Sequence, residues 1–238
     1  MKKSVLLSLF LLAIGVNSLF AQNLQLHFDP RGAIQGKDNF SKNYATATFE
    51  MFKADKWGST FMFVDMDFNI EKGNIGLAYA EIARDQNLGK LPIKAHVEFN
   101  GGLGKNFGEG GYSIENAYLG GISYPFAVGK FNFNTYVAYK LQAFDKTSHD
   151  VQWTISWGAN FFNDKLTVSG FLDVWSQNKN KSKEGWKSGK KVVIIAEPQF
   201  WYNVNSNLSF GTEIEITDNF YIKNRGYVNP TIAAKWNF

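Results

Sequence analysis

The chain has 238 residues, with 22 Gly, 5 Pro, 22 Phe, 10 Tyr, 7 Trp and no Cys; 19% of its side chains are charged and 16% aromatic. Such a composition excludes a disordered protein, and the lack of cysteine excludes a disulfide scaffold, a thiolate metal site, a catalytic thiol and a lipidated N-terminal Cys. The formal net charge of +4, part of it from Lys2 and Lys3, is too weak a bias to suggest a nucleic-acid partner; His27, His96 and His149 are too few for a multi-histidine metal centre, and no cofactor is expected.

Residues 1–21 read as a cleaved signal peptide. Lys2-Lys3 precede an apolar run from Val5 to Val16, and Ala21 stands before the polar Gln22. A basic start, a short apolar stretch and a small residue at the cut are the marks of export. The run is short of the ~20 residues that a helix needs to cross a bilayer. Residues 22–238 form the mature domain.

That domain alternates with period two. Phe131, Phe133, Thr135, Val137, Tyr139 and Leu141 interleave with Asn132, Asn134, Tyr136, Ala138, Lys140 and Gln142. Val151, Trp153, Ile155, Trp157, Ala159 and Phe161 interleave with Gln152, Thr154, Ser156, Gly158 and Asn160. Alternation of this kind makes a strand with one apolar and one polar face. In chain order the pattern predicts strands over 24–29, 44–54, 58–70, 75–84, 92–101, 113–124, 131–142, 151–161, 165–176, 191–203, 207–217 and 227–238.

Most of these strands run about ten residues, the length that a tilted strand needs to cross a bilayer, against ~5–6 in a soluble sandwich. Their connections alternate. Short ones fall at Asp55-Lys56, 85–91, Pro125–Gly129, Asn163-Asp164 and 204–206. Longer polar ones fall at 30–43, 102–112, 143–150 and 177–190, with 70–74 short on that side. This predicts an all-β fold, a transmembrane antiparallel β-barrel of about 12 strands in the cell outer membrane. Trp57, Trp153, Phe161, Trp201, Trp236 and Phe238 are read as its interfacial girdle. Phe238 with Trp236, Ala234 and Ile232 resembles the C-terminal signal read by the barrel assembly machinery.

In a bilayer the sheet must close, the apolar face meets lipid and the polar face lines the lumen. With a turn at Asp55-Lys56, Glu50 would lie opposite Phe61, Thr48 opposite Phe63, Thr46 opposite Asp65 and Tyr44 opposite Asp67. Cross-strand partners share a face, so Glu50, Phe52, Phe61, Phe63, Asp65 and Asp67 are placed inside, and Ala47, Phe49, Met51, Thr60, Met62, Val64 and Met66 outside. Lys94, His96 and Glu98 join the lumen, as does Lys140; Asp173 and Trp175 share one face. A turn near Asn205 would set Glu197 across from Glu213, with Glu215 nearby. A salt-bridged plug that fills a narrow barrel is the competing reading of these charges.

The segment FEMFKADKWGSTFMFVDMDF (49–68) is similar to the second hairpin of the Tsx-like nucleoside-specific channels of the outer membrane, through Phe49, Glu50, Phe52, Trp57, Phe61, Phe63 and Asp65. LAYAEIARDQNLG (77–89) resembles that family's next strand through Glu81, Ile82 and Arg84. The resemblance implies a narrow twelve-stranded barrel that passes nucleosides without energy input, with Glu50, Phe52, Phe61, Phe63 and Asp65 in its lining. Phe61 and Phe63 stand where that family often has Tyr, so hydroxyl donors are lost.

The expected function is therefore a channel for passive diffusion of nucleosides or similar small solutes, not an enzyme. The glycine-rich GGLGKNFGEGG (101–111) lacks the Lys-Ser/Thr pair of a phosphate loop. The lysine-rich loop 177–191 is read as solvated, with lipopolysaccharide phosphates as its functional partner. Two rivals stand beside the channel: a lipid-modifying enzyme of the outer membrane, and a structural barrel with a blocked lumen.

Overall fold

The computed structural model describes residues 20–31, 44–70, 73–105, 110–143, 147–179, 189–220 and 226–238. Residues 1–19 of the signal peptide predicted over 1–21, and residues 180–188 of the lysine-rich loop, lie outside them; residues 20 and 21 begin the first strand. The strands are β1 (Phe20–Phe28), β2 (Ala45–Asp55), β3 (Gly58–Asp67), β4 (Leu77–Asn87), β5 (Lys94–Lys105), β6 (Gly111–Val128) and β7 (Phe131–Gln142). They continue with β8 (Ser148–Phe161), β9 (Leu166–Asn178), β10 (Lys190–Ala196), β11 (Gln199–Asn203), β12 (Leu208–Asp218), β13 (Gly226–Pro230) and β14 (Ile232–Asn237).

From β1 to β10 each strand pairs antiparallel with the next, β10 and β11 both bridge β9 to β12, β13 pairs with β12, and the sheet closes because β14 pairs with both β12 and β1. Two predicted strands are each broken once. Pro198 separates β10 from β11, and Pro230 ends β13 just before β14. A proline has no N–H to give the ladder. The two breaks flank β12 at the same residue: Ile214 N–H donates to the Pro198 carbonyl at 3.0 Å, and Ile214 pairs with Pro230 on its other side. The wall stays continuous across both, because Glu197 N–H reaches Phe171 O at 3.0 Å and Thr231 N–H reaches Glu213 O at 2.8 Å. Counting each broken pair as one stave, the barrel has the twelve staves expected.

Polarity is inverted relative to a soluble protein. Gln25, Gln152 and Ser123 are at most 2% exposed, whereas Leu26, Val97, Ile122, Val137 and Val151 are more than half exposed. The outward row is the apolar one, so this surface meets hydrocarbon and the polar row lines the interior. With a closed wall and strands of bilayer length, the protein is an outer-membrane barrel. The short turns gather at one end, with both the start of β1 and Phe238; Lys56, Lys90, Lys130 and Lys165 sit in these turns. Outside that end runs a band of rings. Tyr124, Phe126, Phe133, Phe131 and Phe161 follow one another at 5.9, 5.0, 5.9 and 5.7 Å between centroids. Lys56 lies 4.8 Å from the Trp57 ring.

Several boundaries move. β6 runs through Pro125 to Val128, and Gly129, at φ 60°, makes the turn. β5 and β6 extend into the predicted 102–112 connection. β3 stops at Asp67 instead of residue 70. The first hairpin turns at Lys56-Trp57, one residue later than expected, because Gly58 takes φ 154°. A Cβ there would stand 1.9 Å from the Asp85 carbonyl oxygen. Gly58→Ala is therefore expected to lower the yield of folded barrel sharply, read as loss of the heat-modifiable band on a gel.

The lumen as candidate functional site

Register fixes what points inward. In the β2–β3 hairpin Phe52 faces Phe61, Glu50 faces Phe63, Thr48 faces Asp65 and Thr46 faces Asp67. The predicted partners are corrected by a shift of two, which leaves every side chain on its predicted face. Tyr44 still reaches Asp67, its hydroxyl donating at 3.1 Å. The same correction applies later in the chain. Gln199, not Glu197, lies opposite Glu213, because residues 204–207 make the turn. Glu197 falls in the break between β10 and β11, and the pairs on either side of it set it level with Glu215. Lys94, His96, Glu98, Lys140, Glu213 and Glu215 all lie on the lumen face.

Three groupings occupy that lumen. The first is a buried network on β4–β9. His96 is held between two carboxylates, with Nδ1 2.8 Å from Asp85 and Nε2 3.1 Å from Glu98. Its ring stacks on Tyr136 at 3.9 Å, and the Tyr136 hydroxyl donates to Glu98 at 2.9 Å. Asp85 also accepts from Ser123 at 2.7 Å and Asn134 at 3.0 Å. Gln152 donates to the Tyr136 oxygen at 2.9 Å and accepts from Lys140 Nζ at 2.7 Å. Lys140 lies 4.4 Å over the Trp175 ring, and Thr154 donates to Asp173 at 2.6 Å. Burial requires such pairing, since an unpaired polar group in low dielectric is costly.

The second grouping fills the side made by β1 and β11–β14. Trp201 is fully buried, with its indole N–H donating to Gln199 at 2.9 Å and Lys235 4.1 Å from its ring. This corrects the girdle assignment: Trp201 pairs with Thr167 and Gly211 on the lumen face, and Gly211 leaves the space its ring occupies. His27 meets that ring edge-on at 5.9 Å and shares hydrogen bonds with Thr231 and Gln25. Trp57, Trp153, Trp236 and Phe238 are exposed on the outside, as a girdle requires; Phe161 belongs to the ring band described above.

The third grouping is less covered. On β2–β4, Phe61, Phe63, Asp65, Glu50, Tyr79 and Glu81 are half-buried. The rings form a ladder, Phe61 to Phe63 at 6.1 Å and Phe63 to Tyr79 at 6.1 Å. Carboxylates punctuate it: Glu50 accepts from Asn23 at 3.0 Å, and Glu81 accepts from the Tyr79 hydroxyl at 2.6 Å. Phe52, predicted in the same lining, is buried behind it, and so is Asp67. Among the described residues no three His, Cys, Asp or Glu side chains are arranged to hold a metal ion.

Sequence reasoning missed Asp85, Tyr136 and Gln152 as members of the network. Parity could have found them, since Asp85 shares a face with Glu81, and Tyr136 with Lys140. Arg84, part of the sequence resemblance, points outward at the short-turn rim and grips Asp55 at 2.8 and 2.9 Å.

A family model described as "Domain of unknown function (DUF5020)" matches residues 21–238. No curated protein matches the chain in sequence. Among solved structures, LpxR from Salmonella typhimurium is similar with a TM-score of 0.44 and 11% identity, over 92% of this chain and 99% of that one. OmpT, an outer membrane protein of Vibrio cholerae, gives 0.44 and 10% identity, over 94% of this chain and 97% of its own. The outer membrane channel DcaP of Acinetobacter baumannii gives 0.38 and 10%, over 94% and 98%. Likenesses this remote carry nothing about activity.

Proposed function

The chain belongs to the DUF5020 family, and from that premise we propose that it is a passive channel for nucleosides or similar small solutes. The observation that carries this reading is the half-open ladder of Phe61, Phe63 and Tyr79, interleaved with Glu50, Asp65 and Glu81. A nucleobase is flat with a polar edge. Ring stacking is worth ~1–3 kcal/mol per base, and carboxylates accept from ribose hydroxyls and base N–H groups. Because Phe61 and Phe63 offer no hydroxyl, the ladder holds a solute mainly by its face. Weak holding suits conduction, in which a solute must leave as well as arrive.

The state of His96 favours a channel over a lipid-modifying enzyme. Both ring nitrogens of His96 are engaged by carboxylates, and both of His27 by Thr231 and Gln25. His96, donating to a carboxylate from each nitrogen, has no lone pair left to act as general base on a nucleophile. His149 is on the outer face, bonded to the Tyr139 hydroxyl.

The test is current through single barrels in planar bilayers with adenosine added. Adenosine should block the current in the native protein, and Phe63→Ala should weaken that block about tenfold, the equivalent of ~1.4 kcal/mol of stacking. A current indifferent to adenosine would remove the nucleoside assignment. Hydrolysis of membrane lipid by the purified barrel would establish the enzyme instead, and a barrel without current the blocked form.

A further inference from the structure

The charges of the chain are segregated. Its formal net charge is +4, yet the lumen is acidic. On the inward face, Glu50, Asp65, Asp67, Glu81, Glu98 and Glu213 are joined by Asp85, Asp150, Asp173 and Glu215, against Lys94, Lys140, Lys191 and Lys235, with His96 between Asp85 and Glu98 and Lys190 reaching in to Asp150. Other lysines sit in the short turns, at Lys56, Lys90, Lys130 and Lys165.

Inside the network the imbalance is not fully cancelled. Among the described residues, no hydrogen-bond donor reaches Glu98 Oε1 or Asn100 Oδ1, both buried, on residues 8% and 6% exposed. They are two residues apart on the lumen face of β5, and Asn100 stands directly opposite Glu81 of β4. Glu81 interacts electrostatically with Glu98, Asp173 and Lys140. His96, donating from both ring nitrogens, is matched by Asp85 and the other oxygen of Glu98, and Lys140, the cation that faces Glu81, is already engaged by Gln152 and the Trp175 ring. Acceptors outnumber donors at this corner, so the surplus potential beside the ring ladder is negative.

We propose that the lumen is cation-selective, and that its preferred solutes join an ammonium group to a flat ring, with Glu81 and Asp65 meeting the ammonium and Phe63 and Tyr79 the ring. Rings of Asp and Glu select cations in channels generally, and low-dielectric clefts of one sign concentrate counter-ions. An ammonium brings three N–H donors and no acceptor, which is what an acceptor-rich wall lacks. The inference rests on the channel reading and, among its small ring-bearing solutes, favours cationic amines over neutral nucleosides.

Reversal potentials in a KCl gradient test it, with liposome swelling by tyramine against tyrosol, its neutral isostere. A K⁺ over Cl⁻ permeability ratio of about ten is expected, in keeping with counter-ion focusing of that order, and tyramine should enter several-fold faster than tyrosol. The double substitution Glu81→Gln and Asp65→Asn keeps shape and acceptor oxygens but removes charge, and should lower both ratios several-fold. Anion selectivity, or equal swelling by the two solutes, overturns the proposal while leaving a channel. Without current or swelling the channel reading itself fails, and binding then decides. Millimolar tyramine, but not tyrosol, should raise the melting temperature of the native barrel and not that of the double variant. No such rise would overturn the acidic site as well.

Discussion

Lys140→Met is expected to destabilise the barrel by about 3–5 kcal/mol, the usual cost of removing one partner from a buried charge cluster. Lys140 is 7% exposed at the centre of the β4–β9 network, and its ammonium faces Glu81, Glu98, Asp173 and Asp150. Methionine fills nearly the same volume, so packing is little changed. What is lost is the positive charge, the donor to Gln152 and the 4.4 Å contact with the Trp175 ring. Glu98 keeps His96 and Asp150 keeps Lys190, but Glu81 and Asp173 then face the cluster without their cation. Urea unfolding of the lipid-reconstituted protein would report the loss. Adding Glu81→Gln to Lys140→Met should recover a good part of it, because one uncompensated charge is removed. A single variant as stable as the native protein would mean that water, not Lys140, screens these acids.

Side-chain parity made most of the fold legible. Alternation in 131–142 and 151–161 identified the faces that β7 and β8 present to lipid and lumen, and the hairpin carboxylates identified those of β2 and β3. Register was less legible than face. Both hairpin predictions were off by two, because a turn shifted by one residue moves each pair by two and leaves parity intact. Gly58 and the four-residue turn at 204–207 set the true alignment, and neither announces its geometry in composition. Pro198 and Pro230 were visible as letters, but not their convergence on Ile214. Trp201 was misplaced for another reason. A tryptophan near a strand end suits a girdle and a packed lumen equally, and only pairing with Gly211 decides. The His96 network needed contacts between β4, β5, β6 and β7, of which a single sequence carries no sign.

Trp201→Ala should both weaken the barrel and widen it. The indole is fully buried, pinned by Gln199 through its N–H, capped by Lys235 at 4.1 Å and met edge-on by His27 at 5.9 Å. Truncation of a buried aromatic to Ala costs ~3–5 kcal/mol in a packed interior, where the cavity cannot collapse. Here the wall behind the ring is a strand whose ladder cannot move inward. A Cβ on Gly211 would lie only 2.7 Å from the Trp201 ring, so the two positions are fitted to each other. The vacated volume lies in the lumen and should fill with water, because Lys235, Gln25 and His27 would line it with polar atoms. Single-channel conductance should rise as the denaturation midpoint falls. Trp201→Phe separates the two effects: it keeps most of the ring volume and loses the donor to Gln199, so conductance should stay near native while stability drops by about 1 kcal/mol. A lower midpoint with unchanged conductance in Trp201→Ala would place the conducting path elsewhere, along the β2–β4 ladder alone.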